Sequence, residues 1–168
     1  MQEISKTLFE ANKLFKTADH LAYVTYPLVR DNKIMITITN NLMGAMTKAI
    51  EALLDYDRYY KRIMYIPNDF QSKLEIFRKS CAPRYNISTS YLSLLKELKD
   101  IEEARKNAAM EFIRKDQYVI TQDNFKLRTL TYPKIKEYVN QSRQFFNKIN
   151  SILENVQTQW SKRRSKKS

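Results

Sequence analysis

A chain of 168 residues with one glycine and four prolines is short of the turn-formers that all-β and doubly wound folds need. Its single cysteine excludes an internal disulfide, and its 43% hydrophobic content is enough to fill one core. The net charge of +12 favours anionic partners and says nothing about fold.

The elements follow from hydrophobic spacing. Ile4, Leu8, Ala11, Leu14, Ala18, Leu21 and Thr25 recur at three- and four-residue steps, which predicts a helix over 2–29 with a kink or turn near Pro27 and "RDNK". "IMITIT" (34–39) alternates like a strand. However, Ile34, Ile38, Leu42, Ala45, Ala49, Leu53, Tyr56, Tyr60 and Ile63 carry a helical stripe through it, so a long helix over 33–66 is predicted. Gly44 inside this helix points to close helix packing. Asn68 or Asp69 can cap a short helix whose inner face is Phe70, Leu74, Phe77 and Cys81, ended by Pro83.

Ser88 can cap the next long helix, with Tyr91, Leu94, Leu95, Leu98, Ile101, Ala108 and Phe112 as its stripe. The pattern changes near Lys115: "YVIT" and "FKLRTL" flank "QDN", which fits a small hairpin at about 118–130 or an extended loop. Thr131 as cap with Pro133 in the first turn opens the last helix, striped from Ile135 to Trp160. The fold expected is all-α. It is an up-and-down bundle of four long helices and one short one over 1–160, with a basic tail at 161–168.

Chemistry is sparse. One histidine and one cysteine fall short of a structural zinc site, and one glycine cannot form a phosphate loop, so no metal and no cofactor are expected. Di-iron bundles need a Glu-x-x-His pair on each of two helices, which one histidine cannot supply. His20 falls opposite the apolar stripe of its helix beside Lys13 and Lys16, with no acid four residues away. It reads as a surface residue, and no catalytic residue is assigned. In "KELKDIEEARK", Lys96 with Asp100, Lys99 with Glu103 and Glu102 with Lys106 have ordinary helix-surface spacing. "YDRYYKRIMY" (56–65) mixes aromatics and cations. On a helix, though, Tyr56, Tyr59, Tyr60 and Ile63 share one face and Arg58, Lys61 and Arg62 the other, so the tyrosines read as core.

The candidate nucleic-acid contacts are Arg114, Lys115, Lys126, Arg128, Lys134 and Lys136 around the hairpin, joined by Lys162, Arg163 and Arg164 in the tail "SKRRSKKS". The partners this suggests are RNA or another polyanion, or a protein docked on the bundle. "MQEISKTLFE" has no apolar leader core, and no run approaches the roughly 20 apolar residues of a membrane span. A cytoplasmic location without membrane contact is therefore expected.

"ADHLAYVTYPLVRDNKI", "AIEALLDYDRYYKRI" and "EFIRKDQYVITQDNFKLRTLTYPKIKEY" together resemble small archaeal helical-bundle proteins without assigned function, whose architecture is similar to the HEPN domain. The resemblance spans about residues 10–155 and implies a four- or five-helix bundle and a homodimer. Active HEPN ribonucleases carry an arginine followed four to six residues later by histidine. Here no arginine precedes His20, and Arg30 follows it, so the resemblance implies the fold without that activity. The alternative it leaves is a HEPN-like ribonuclease with altered active-site residues.

Overall fold

The computed structural model describes residues 1–154 and Thr158. The expected first helix forms in three continuous parts: α1 (Gln2–His20), a π-helical turn (Leu21–Thr25) and α2 (Tyr26–Val29). The π turn ends two residues before Pro27. A proline ring clashes with the carbonyl four residues back, and widening the helix there makes room for it. The same device recurs in the short helix, where α4 (Phe70–Ile76), a π turn (Phe77–Cys81) and α5 (Ala82–Arg84) lead into and past Pro83. Asp69 caps α4 by accepting from the Ser72 amide at 2.8 Å. Arg30, in the left-handed conformation (φ 53°), ends α2.

Helix α3 (Lys33–Tyr59) takes up "IMITIT" as the continuous stripe required, since Met35, Ile36, Ile38 and Thr39 are all buried. It stops at Tyr59 rather than running to Ile66, because Lys61 turns into the left-handed conformation (φ 57°) and the Arg62 amide bonds back to the Asp57 carbonyl at 2.8 Å. Helix α6 (Ser90–Lys106) also ends early. Residues assigned to its last turns form strand β1 (Ala108–Arg114) instead. With β2 (Gln117–Gln122) and β3 (Leu127–Thr131) this gives a three-stranded antiparallel sheet in the order β1-β2-β3. The hairpin expected at 118–130 is therefore the second half of a larger sheet. Helix α7 (Tyr132–Ile152) starts as predicted, with the Thr131 hydroxyl accepting from the Lys134 amide at 3.4 Å and Pro133 in the first turn. Val156, Trp160 and the tail lie outside the described residues.

The long helices run antiparallel in three of their packed pairs, while α3 and α7, both antiparallel to α1, pack side by side in the same direction. Along α1 and α3, Glu10 meets Lys48 at 2.7 Å, and a methyl group built on Gly44 would sit 3.4 Å from Leu14. Along α1 and α7, Asn12 bonds Asn150 at 2.9 Å, Phe15 stacks on Phe146 at 4.8 Å and Tyr23 bonds Asn140 at 2.9 Å. Along α6 and α7, Tyr91 packs on Phe145 at 5.4 Å and the Tyr138 hydroxyl donates to Glu97. One continuous core results, with Leu8, Leu42, Met46, Leu53, Phe77, Leu95, Phe145 and Phe146 fully buried. Burying each such side chain contributes about 1.5–3 kcal/mol against leaving it in water.

The sheet covers one end of the helices, where α1, α6 and their reversals bring the α3 and α7 N-termini. Its register puts Glu111, Ile113, Tyr118, Ile120, Arg128 and Leu130 on one face. Tyr118, Ile120 and Leu130 on that face are buried in the core, and Glu111 accepts from Arg105 of α6 at 2.8 Å. The other face carries Met110, Phe112, Arg114, Val119, Thr121, Leu127 and Thr129 and points outward. No described helix is long and apolar enough to cross a membrane.

Candidate nucleic-acid interface

The outward sheet face is unusually apolar for an exposed surface. Met110 is 61% exposed and Leu127 68%, with Thr121 between them, and Phe112, also exposed, is next to Met110 on the same face of β1. Val119, flanked there by Phe112 and Thr129, is buried without joining the helical core. Arg114 stands at one end of this face, next to Lys115 in the two-residue β1–β2 turn. Lys115 holds that turn in the left-handed conformation (φ 55°), and its carbonyl accepts from the buried Asn32 side chain at 3.4 Å. Lys126 belongs to the opposite turn, where Phe125 (φ 60°) takes the left-handed position and the Gln122 amide donates to the Lys126 carbonyl at 3.0 Å. The six residues of β2 separate the two turns by roughly 17 Å.

The six hairpin cations thus fall into groups. Arg114 and Lys115 are brought together and Lys126 stands apart. Arg128 points inward toward Tyr138, on whose hydroxyl its charge acts. Lys134 pairs with Glu137 at 3.3 Å and lies 5.4 Å from the Tyr138 ring. Lys136 lies 4.8 Å from the ring of Tyr132, which stacks on Tyr26 at 4.3 Å. Burial and the bond to Glu97 push the Tyr138 hydroxyl up from its ordinary value. Lys162, Arg163 and Arg164 lie outside the described residues.

The far end of α3 departs most from the sequence reading. Tyr59 and Tyr60, expected in the core, are 57% and 47% exposed, because α3 stops where the stripe was to continue. The buried member of this segment is Asp57, whose side chain has no solvent exposure. It accepts hydrogen bonds from Arg84, from the Tyr85 hydroxyl, from Arg62 at 3.3 Å and from the Cys81 thiol at 3.3 Å. Arg62 also donates to the Tyr85 oxygen at 2.8 Å. Burial first, and Asp57 second, push both the Cys81 thiol and the Tyr85 hydroxyl well up. A signal for Asp57 existed: it stands four residues after Leu53, on the stripe itself. Apart from Arg62 in the turn after α3, the partners come from the second π turn, α5 and the residue after it, which no spacing rule connects to α3.

His20 is exposed, as expected. Its Nδ1 lies 3.4 Å from the Thr25 hydroxyl, and it lines a shallow groove with Phe9, Lys13 and Lys16. Among the described residues no three His, Cys, Asp or Glu side chains gather as metal ligands. In the acidic run, Glu102 pairs with Lys106 at 3.6 Å, as its spacing predicts, and with Lys99 at 2.5 Å, where Glu103 was expected. Comparison with protein-family models, curated proteins and solved structures finds no match to the chain.

Proposed function

We propose that the chain is a noncatalytic helical interaction module that binds RNA on the outer face of its sheet. The observation that carries this reading is the exposed face itself: Met110 and Phe112 on β1 and Leu127 on β3, with Arg114 and Lys115 at one end and Lys126 at the other. An aromatic side chain on an open antiparallel sheet gives a base a surface to stack on, and cations at the margins meet the phosphates. The antiparallel contacts among α1, α3, α6 and α7 support an up-and-down bundle of HEPN-like build beneath it, and the resemblance brings a homodimer with it. The cytoplasm is the compartment this reading requires.

Titration with a generic single-stranded RNA at several salt concentrations tests it. Affinity falls with salt by about 0.7 log units per log unit for each phosphate neutralised. The triple variant R114A/K115A/K126A therefore loses about 2 from that slope. Binding indifferent to salt would reject the reading. Cleavage of the strand, abolished by His20→Ala, would instead make the chain a HEPN-like ribonuclease with altered active-site residues.

A further inference from the structure

We infer that the C-terminal end of α3 holds a second nucleic-acid site, which stacks unpaired bases of single-stranded RNA on Tyr59, Tyr60 and Tyr65. The inference rests on the RNA-binding reading and adds to it a surface at the opposite end of the molecule. The 27 residues of α3 set the two surfaces roughly 40 Å apart.

Three observations support it. The rings are open: Tyr59, Tyr60 and Tyr65 are 57%, 47% and 66% exposed, and Met64 beside them is almost wholly so. Two of the rings, Tyr59 and Tyr60, are also ordered. Tyr60 meets Tyr59 edge-on at 5.2 Å and Tyr56 at 4.9 Å, and the Arg62 guanidinium lies 5.0 Å from the Tyr60 ring and 5.7 Å from that of Tyr56. Lastly, two cations are held in a fixed arrangement at this end of α3, one of them, Arg62, against the Tyr60 ring. Asp57, fully buried, anchors Arg62 and Arg84 from below, and each keeps about a third of its side chain in solvent. Tyr85 ties Arg62 to the same carboxyl group.

The chemistry follows from that arrangement. A guanidinium held by a buried acid has already lost its rotamer freedom, so gripping a phosphate costs little further entropy. Arg58, Lys61, Arg62 and Arg84 outnumber Asp55 and Asp57, so the surface stays net positive. Aromatic faces among net positive charge suit a single strand, whose bases are free to stack while its backbone runs along the cations. A duplex keeps its base faces covered and offers these rings nothing.

The probe is an end-labelled oligoadenylate of about 12 nucleotides, within the range of single-strand site sizes, compared with a duplex of equal length. The proteins are the full chain, Y59A/Y60A, Y59F/Y60F and the sheet variant R114A/K115A/K126A. Both tyrosines are exposed, so the alanine variant keeps the melting temperature of the parent. Each ring removed weakens single-strand binding at least about fivefold, so the alanine variant binds at least about 25-fold more weakly with its salt slope unchanged. The phenylalanine variant keeps the parent's affinity.

Parental affinity in Y59A/Y60A would overturn the inference, and if the sheet variant still weakened, the reading of the sheet would stand alone. Loss in both the alanine and the phenylalanine variants would assign the effect to the hydroxyls and reject stacking. Equal affinity for the duplex would reject it too. A sheet variant with parental affinity and slope, beside a weakened Y59A/Y60A, would sink the reading of the sheet while sustaining this site.

Discussion

Cys81 is fully buried and donates its thiol to Asp57, and this has a consequence for alkaline stability. Its folded pKa is raised, by burial first and by the Asp57 charge second. In the unfolded chain a thiol releases its proton near pH 8.5. Above that pH the unfolded state binds fewer protons than the native state, so stability falls as pH rises toward the folded pKa. Between pH 8.5 and 10 this one group removes about 2 kcal/mol. Tyr85 and Tyr138, raised in the same direction, add to the loss once the pH passes the ordinary tyrosine value near 10. Urea denaturation at pH 8, 9 and 10 should show the decline, and Cys81→Ala should delay its onset to about pH 10. An unchanged onset would mean that the thiol is not held protonated by its surroundings.

At the level of elements, helix α3 carries the clearest test. A glycine in mid-helix costs about 0.5–1 kcal/mol against alanine through lost backbone entropy. The methyl group that alanine would add at Gly44 meets only a Leu14 methyl at 3.4 Å, a contact that a half-buried leucine can relax. Gly44→Ala should therefore raise the melting temperature by about 1–4 °C. A drop would show that α1 and α3 need the bare backbone. The helices were legible because their stripes span many turns, and even "IMITIT" was assigned correctly once its neighbours were counted. Strand β1 was not legible. Ala108 and Phe112 continue the α6 stripe, and "AAM" has strong helix propensity, so local preference and spacing both favoured helix. Pairing with β2 decided the matter, and pairing is a tertiary fact. The scarcity of glycine misled in the same way. Lys115 and Phe125 occupy the left-handed turn positions that glycine usually fills, so composition understated the β content. At the candidate interface, the run of cations and the turn beside Lys126 could be read in advance, but the turn that carries Lys115 could not, because β1 was read as helix. The outward Tyr59 and Tyr60 could not, because that depended on where α3 would stop.

For the whole molecule, charge and shape act together. With a net charge of +12, the polyanion binding proposed above should depend strongly on ionic strength. The same charge bears on what identical chains do to one another. Strand β1 is the outer member of its sheet, and residues 109–114 are all exposed. An uncovered strand edge invites a second strand to pair with it. Here mutual repulsion between like-charged chains is the guard, and it weakens as the Debye length shrinks from about 10 Å at 0.1 M salt to about 3 Å at 1 M. Concentrated stocks should thus scatter more light as salt is added, the reverse of ordinary salting-in, and Ile113→Lys should suppress the turbidity. A purification that finishes in high salt would collect this protein as oligomers joined edge to edge, while one that finishes in dilute buffer would leave those edges unpaired.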